Sequence, residues 1–111
     1  MPFTIVRQDI TKMKTDAIVN AANTELKMGG GVCGAIFKRA GEYELQKACD
    51  DLSPIKAGEV VITPGFALPA RYIIHAAGPV YDASSPKESE KLLRATYQNS
   101  LNLAKDYKCK S

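Results

Sequence analysis

Tryptophan is absent from these 111 residues, and a single histidine, His75, supplies the only imidazole. Cysteine is scarce and odd in number. Cys33, Cys49 and Cys109 show no paired spacing, which argues against a disulfide framework and for a reducing compartment, the cytoplasm. A zinc site is disfavoured on the same ground, because its ligands would have to come from those cysteines and His75 with no C-x-x-C spacing. No metal and no cofactor are expected. Long apolar runs are missing too: none approaches the ~20 residues that span a bilayer, and MPFTIVRQDI lacks the basic and apolar regions of a signal peptide. Charge of one sign is not concentrated anywhere. The 15 basic and 12 acidic residues leave +3, spread over both halves, so a dedicated nucleic-acid binder is not expected, although the mild excess helps attract a phosphate-bearing ligand. There is no G-x-x-x-x-G-K-S/T, which excludes a P-loop.

What remains is an ordinary globular composition, 45% hydrophobic and 24% charged, in a chain long enough for one small domain over residues 1–111. Phe3 to Gln8 reads as a strand, with a turn region over Asp9 to Thr15. Ala17 to Val19 is a short buried strand ending at Asn20. Val32 to Ala40 is expected to be helical, with Val32, Ile36 and Ala35 on one side and Gly41 as its stop. A second helix covers Glu42 to Asp51, with Leu45, Ala48 and Cys49 inward. EVVIT (Glu59 to Thr63) and RYIIHA (Arg71 to Ala76) are strands, each closed by Gly-Pro punctuation. The longest helix runs from Pro86 to about Tyr107, carried by Leu93, Tyr97, Leu101 and Ala104. Strands alternating with helices indicate an α/β fold with a mixed or parallel sheet.

The stretch NAANTELKMGGGVCGAIF, Asn20 to Phe37, carries the chemistry. Glycines ahead of a helix let backbone amides approach a ligand closely. The first helical turn offers unpaired N–H groups and the positive end of the dipole. Gly29, Gly30 and Gly31 before the helix can therefore cradle a diphosphate, or can simply form a flexible connection. Gly29-x-Gly31-x-x-Gly34 matches the dinucleotide fingerprint by letter, but it starts too far beyond the strand, and the next strand ends in Thr63-Pro64-Gly65 without an acid. A dehydrogenase-type domain is not expected.

DAIVNAANTELKMGGGVCGAIFKRAG resembles the defining segment of the macro domain family, modules that bind ADP-ribose. QDIT at Gln8 to Thr11, GEVVITPG at Gly58 to Gly65 and YIIHAAGPVY at Tyr72 to Tyr81 follow in the family's order. The similarity spans essentially the whole chain and lies nearest the MacroD-type and bacterial members, which include O-acetyl-ADP-ribose deacetylases. It implies a three-layer α/β/α fold with a mixed central sheet. It also implies that Asp9 accepts the adenine amine, that Ile10 lies beside the ring, and that Asn23 hydrogen-bonds the distal ribose. Gly30, Gly31 and Val32 would present amides to the diphosphate and ribose, with Cys33 at the same end of the ligand. Asn20 would tie neighbouring loops together, and His75, in an apolar strand, would be a packed imidazole without a catalytic role.

Two departures bear on activity. MacroD-type hydrolases typically carry an aspartate after GGGV that places or activates the attacking water; Cys33 stands there, and Phe37 stands where a histidine is often found. A thiol does not reproduce a carboxylate base, so Asn23 and Cys33 become the residues on which any catalysis would turn. The family also continues after the long helix into a strand and a second glycine loop, S-T-G-x-x-G, which this sequence does not contain. The resemblance thus implies an N-terminal portion of the fold, its C-terminal strands and helix missing, with self-association through the incomplete sheet as one consequence. Four readings stay open: a hydrolase acting on O-acetyl-ADP-ribose or mono-ADP-ribosylated protein, a non-catalytic ADP-ribose reader, a fragment without independent activity, and, most distantly, an RNA or poly(ADP-ribose) binder.

Overall fold

A computed structural model describes residues 8–78, 84 and 86–110. A 3-10 turn at Ile10–Lys12 leads into β1 (Ala17–Ala21), followed by α1 (Gly31–Ala40), α2 (Glu42–Leu52), β2 (Val60–Pro64), β3 (Tyr72–Ala76) and α3 (Pro86–Asp106). The strand expected from Phe3 lies outside the described residues up to position 7, and Gln8 is not in a strand. The strand order is β1-β3-β2, with β1 parallel and β2 antiparallel to the central β3. The sheet is therefore mixed, as the resemblance implies.

Side-chain alternation along the strands divides the core into two faces. Ile18 pairs with Ile73 and Asn20 with His75 on one face, while Val19 pairs with Ile74 and Ala21 with Ala76 on the other. The first face carries α1 and α2. Ile18, Ile36, Phe37, Leu45, Cys49 and Ile73 pack there with Leu26, and the Phe37 ring meets His75 edge-on with centroids 6.3 Å apart. Leu45 and Cys49, four residues apart, form the buried stripe of α2 as expected. On α1 the buried residues are Gly34, Ile36, Phe37 and Ala40. Ala35 is exposed and Val32 is 61% exposed, so the helix is rotated from the expected stripe. Its bulkiest apolar residue, Phe37, faces the core, and Val32 is turned outward. Gly41, at φ 116°, both ends α1 and starts α2; the positive φ lets one residue turn the chain between two helices.

The other face carries α3, which completes three layers. Leu92 and Ala95 meet the backbone at Gly58, and Asn99 Nδ2 donates to the Gly58 carbonyl at 2.9 Å. That anchors the helix on the β2 side of the sheet. The stripe Leu93, Tyr97, Leu101 and Ala104 lines a groove beside β1, where Ala104 is half-buried and the other three are exposed among the described residues. Val19 (48% exposed), Leu93 (60%), Tyr97 (61%) and Leu101 (47%) border a groove of about 470 Å³. Among the described residues β1 is an edge strand, and the groove runs along it. No helix of the described residues is long and apolar enough to cross a membrane.

Candidate functional site

The segment between β1 and α1 is organised by side-chain amides. Asn23 Oδ1 accepts from the Glu25 amide at 3.1 Å and the Lys27 amide at 3.0 Å, and its Nδ2 donates to the Lys27 carbonyl at 2.9 Å. This clip makes a tight loop in which Leu26 adopts φ 55° and is driven into the core, 1% exposed. Burying an isobutyl group there, worth roughly 1.5–3 kcal/mol, offsets the left-handed backbone. The Asn23 side chain is thus committed to its own loop, with one amide hydrogen left for a ligand.

Helix α2 holds the other side of the loop. Gln46 Oε1 accepts from the Met28 amide at 3.0 Å while its Nε2 donates to the Leu26 carbonyl at 3.0 Å and to Asp50 Oδ1 at 2.9 Å. Lys27 and Asp50 pair at 2.9 Å. The bond from Lys27, then that from Gln46, holds the Asp50 carboxyl below its usual range. Nothing in the sequence marked Gln46, whose role depends on contacts eighteen and twenty residues away.

The glycines then fold onto the helix they precede. A Cβ at position 34 would lie 2.6 Å from the Gly29 carbonyl oxygen, so the loop and the first turn touch backbone to backbone. Gly30 is the N-cap of α1 in an extended conformation, and Gly31 takes φ +57°. A Cβ at either would meet nothing within 4 Å. Their backbone faces open space, where the unpaired first-turn amides of a ten-residue helix are available to an anion.

Beneath that first turn the end of β1 is polar and dry. Asn20 is 1% exposed. Its Nδ2 lies 3.6 Å from Cys33 Sγ and 3.2 Å from His75 Nδ1, and its Oδ1 has no hydrogen-bond partner among the described residues. His75 is fully buried, with its Nε2 3.0 Å from Thr63 Oγ1 and 3.9 Å from Cys49 Sγ. Burial lowers the imidazole pKa to about 4 and pushes the Cys49 thiol up to about 11, with the nearby Asp50 charge adding to the rise. Both groups are neutral at pH 7. Cys33 is half-buried beside Gly29.

Asp9 stands on the 3-10 turn that packs against α1. Its Oδ1 accepts from the Thr11 hydroxyl at 2.7 Å and the Thr11 amide at 3.0 Å. These bonds, hydroxyl first, hold the carboxyl below its usual range, with Lys12 and Arg39 contributing charge. Asp9 is exposed and ionised at pH 7, while Ile10 packs half-buried against the core. Asn20, Gly30, Gly31, Val32 and Cys33 gather where β1 meets α1; Asp9 and Ile10 form a separate edge; Asn23 turns toward its own loop. Among the described residues no group of three or more His, Cys, Asp and Glu is arranged to hold a metal ion.

Comparison with known proteins gives this arrangement its family. The model of the Macro domain family matches residues 19–111. A macro domain-containing protein of Lactiplantibacillus plantarum is 51% identical over 107 residues, covering 96% of this chain and 61% of that protein. ADP-ribose glycohydrolase MACROD1 of Bos taurus is 41% identical over 109 residues, 98% of this chain and 33% of that one. The Oceanobacillus iheyensis macrodomain, solved with ADP, superposes with a TM-score of 0.84 at 47% identity, covering 92% of this chain and 56% of that one. A Trypanosoma brucei macrodomain in complex with ADP-ribose superposes with a TM-score of 0.76 at 42% identity, over 88% of this chain and 39% of that one. The chain therefore spans at most about three fifths of the length of these relatives. From the family model and the shared fold, the chain belongs to the macro domain family.

Proposed function

We propose that this chain binds ADP-ribose, by descent from macro domains that hydrolyse ADP-ribosyl bonds. The observation that carries the reading is the open glycine backbone at the start of α1, set over a buried polar strand end. Amides of Gly30, Gly31 and Val32 receive the diphosphate, where a helix N-terminus favours negative charge. Asp9 accepts from the adenine amine, an acceptor already ionised by its bonds to Thr11, and Ile10 lies beside the ring. The remaining hydrogen of Asn23 serves the distal ribose. The T. brucei relative solved with ADP-ribose and the bovine relative named a glycohydrolase support this reading.

Hydrolysis is expected to be slow or absent. Attack on the distal ribose or on an acyl ester needs a base for the water, and Cys33 offers a thiol at that place. Calorimetric titration of the chain with ADP-ribose, with AMP and NAD alongside, tests the binding. Saturable preference for ADP-ribose, weakened roughly 10- to 100-fold by Asp9→Ala, is the expected result. Cys33→Asp is expected to raise turnover of O-acetyl-ADP-ribose by roughly 10²-fold or more, the size of a general-base contribution. Unchanged turnover in that variant would show that position 33 is not what limits the chemistry.

A second reading concerns partners and rests on the groove beside β1. The chain self-associates there, the β1 edge and the Leu93–Tyr97–Leu101 stripe of one copy covering those of another. A strand edge and an apolar helix face on one side of a molecule are self-complementary under two-fold symmetry. Sedimentation is expected to show a dimer that Tyr97→Glu converts to monomer. A wild-type chain that remains monomeric at high micromolar concentration would end this reading.

A further inference from the structure

A line of hydrogen-bonding groups crosses the sheet under the first turn of α1. Thr63 on β2, His75 on β3 and Asn20 on β1 are 2%, 0% and 1% exposed, and Cys33 of α1 ends the line. Its direction follows from what each group can do. Thr63 Oγ1 donates to the Pro64 carbonyl at 3.1 Å, so toward His75 Nε2, 3.0 Å away, it accepts. His75 therefore carries its proton on Nε2 and leaves Nδ1 as an acceptor. Asn20 Nδ2, a donor only, completes the bond to Nδ1 at 3.2 Å and reaches Cys33 Sγ at 3.6 Å. The amide orientation is thus set two side chains away, and it leaves Asn20 Oδ1 buried without a partner among the described residues.

We propose that Thr63 and His75 are positioning residues: they lock the Asn20 amide so that its Nδ2 holds the Cys33 thiol beside the glycine loop. The purpose of the arrangement rests on the ADP-ribose reading, in which Cys33, held beside Gly29, lies at the ligand's end of the glycine loop. Buried polar groups are ordinarily paired, so the orientation that leaves Asn20 Oδ1 unpaired among the described residues has to be held by the bonds on the other side of the amide. An apolar packing role for His75 would require neither the Thr63 hydroxyl nor a single tautomer.

The test compares the 111-residue chain with Thr63→Val, which removes the hydroxyl, and Thr63→Ser, which restores it. As the sole histidine, His75 gives unambiguous imidazole nitrogen resonances. In the wild type these are expected to show a neutral ring protonated at Nε2. In Thr63→Val the tautomer shifts, and Cys33 alkylation by iodoacetamide rises several-fold while that of buried Cys49 does not. Thr63→Ser returns both readouts to wild type. A wild-type ring protonated at Nδ1 would overturn the proposal, as would a Thr63→Val chain with tautomer and Cys33 reactivity unchanged. A rise at Cys33 and Cys49 together would mean general loosening, and would also overturn it. Failure of the proposed function shows separately, as absent ADP-ribose binding by the wild-type chain.

Discussion

Gly34→Ala is expected to cost roughly 1–3 kcal/mol of stability, the usual penalty for overpacking, and to reduce ADP-ribose affinity by more than tenfold. The added methyl would sit 2.6 Å from the Gly29 carbonyl oxygen. That atom belongs to the backbone, so no side-chain rotation relieves the contact. Either α1 moves away from the loop or the loop moves away from α1, and Gly30 and Gly31 move with it. Gly30→Ala is the matched control. Its φ of −86° suits any residue, and its Cβ would meet nothing within 4 Å, so stability should change by less than about 0.5 kcal/mol. Urea unfolding and ADP-ribose titration of both variants read the two effects. Wild-type stability and affinity in Gly34→Ala would show that loop and helix are not packed together as described.

Acidification is expected to remove about 3 kcal/mol of stability between pH 6.5 and 4, through His75 alone. Burial lowers the folded-state pKa to about 4 from an ordinary value of 6.5. The contribution is fully present above pH 6.5. It is lost as pH falls through that window, because the unfolded chain binds a proton that the folded chain refuses. Asp9 and Asp50 act in the same direction at lower pH, since both carboxyls are held below their usual value of 3.8. Denaturant unfolding between pH 7 and 4 measures the slope, and His75→Gln should flatten it. A stability that stays level over this range would mean that His75 is hydrated or protonated in the folded chain, and would remove the basis for its fixed tautomer.

The sequence by itself determined the elements from β1 onward and marked the glycine loop as the candidate site. The short apolar runs in DAIVN and RYIIHA, the 3.6-residue period of α2 and α3, and glycines at positions 29–31 and 41 are local signals, each readable within a window of about ten residues. Local periodicity does not report what lies opposite. It placed Val32 inward although Phe37 takes the core-facing position, and it marked the Leu93–Tyr97–Leu101 stripe on α3 without showing that the groove beneath is open. The reading of Asn23 took in the ligand but not the loop it clips.

Tertiary structure decided the rest. Asn20 reaches His75 across 55 positions of sequence, and Gln46 meets the glycine approach from another helix. These bonds exist only because parallel pairing sets Asn20 beside His75 and antiparallel pairing brings β2, with Thr63, against β3. An isolated asparagine, histidine and threonine have no preferred orientation toward one another. Burial supplies one, because in a dry interior each donor must find the acceptor that the sheet register puts within reach.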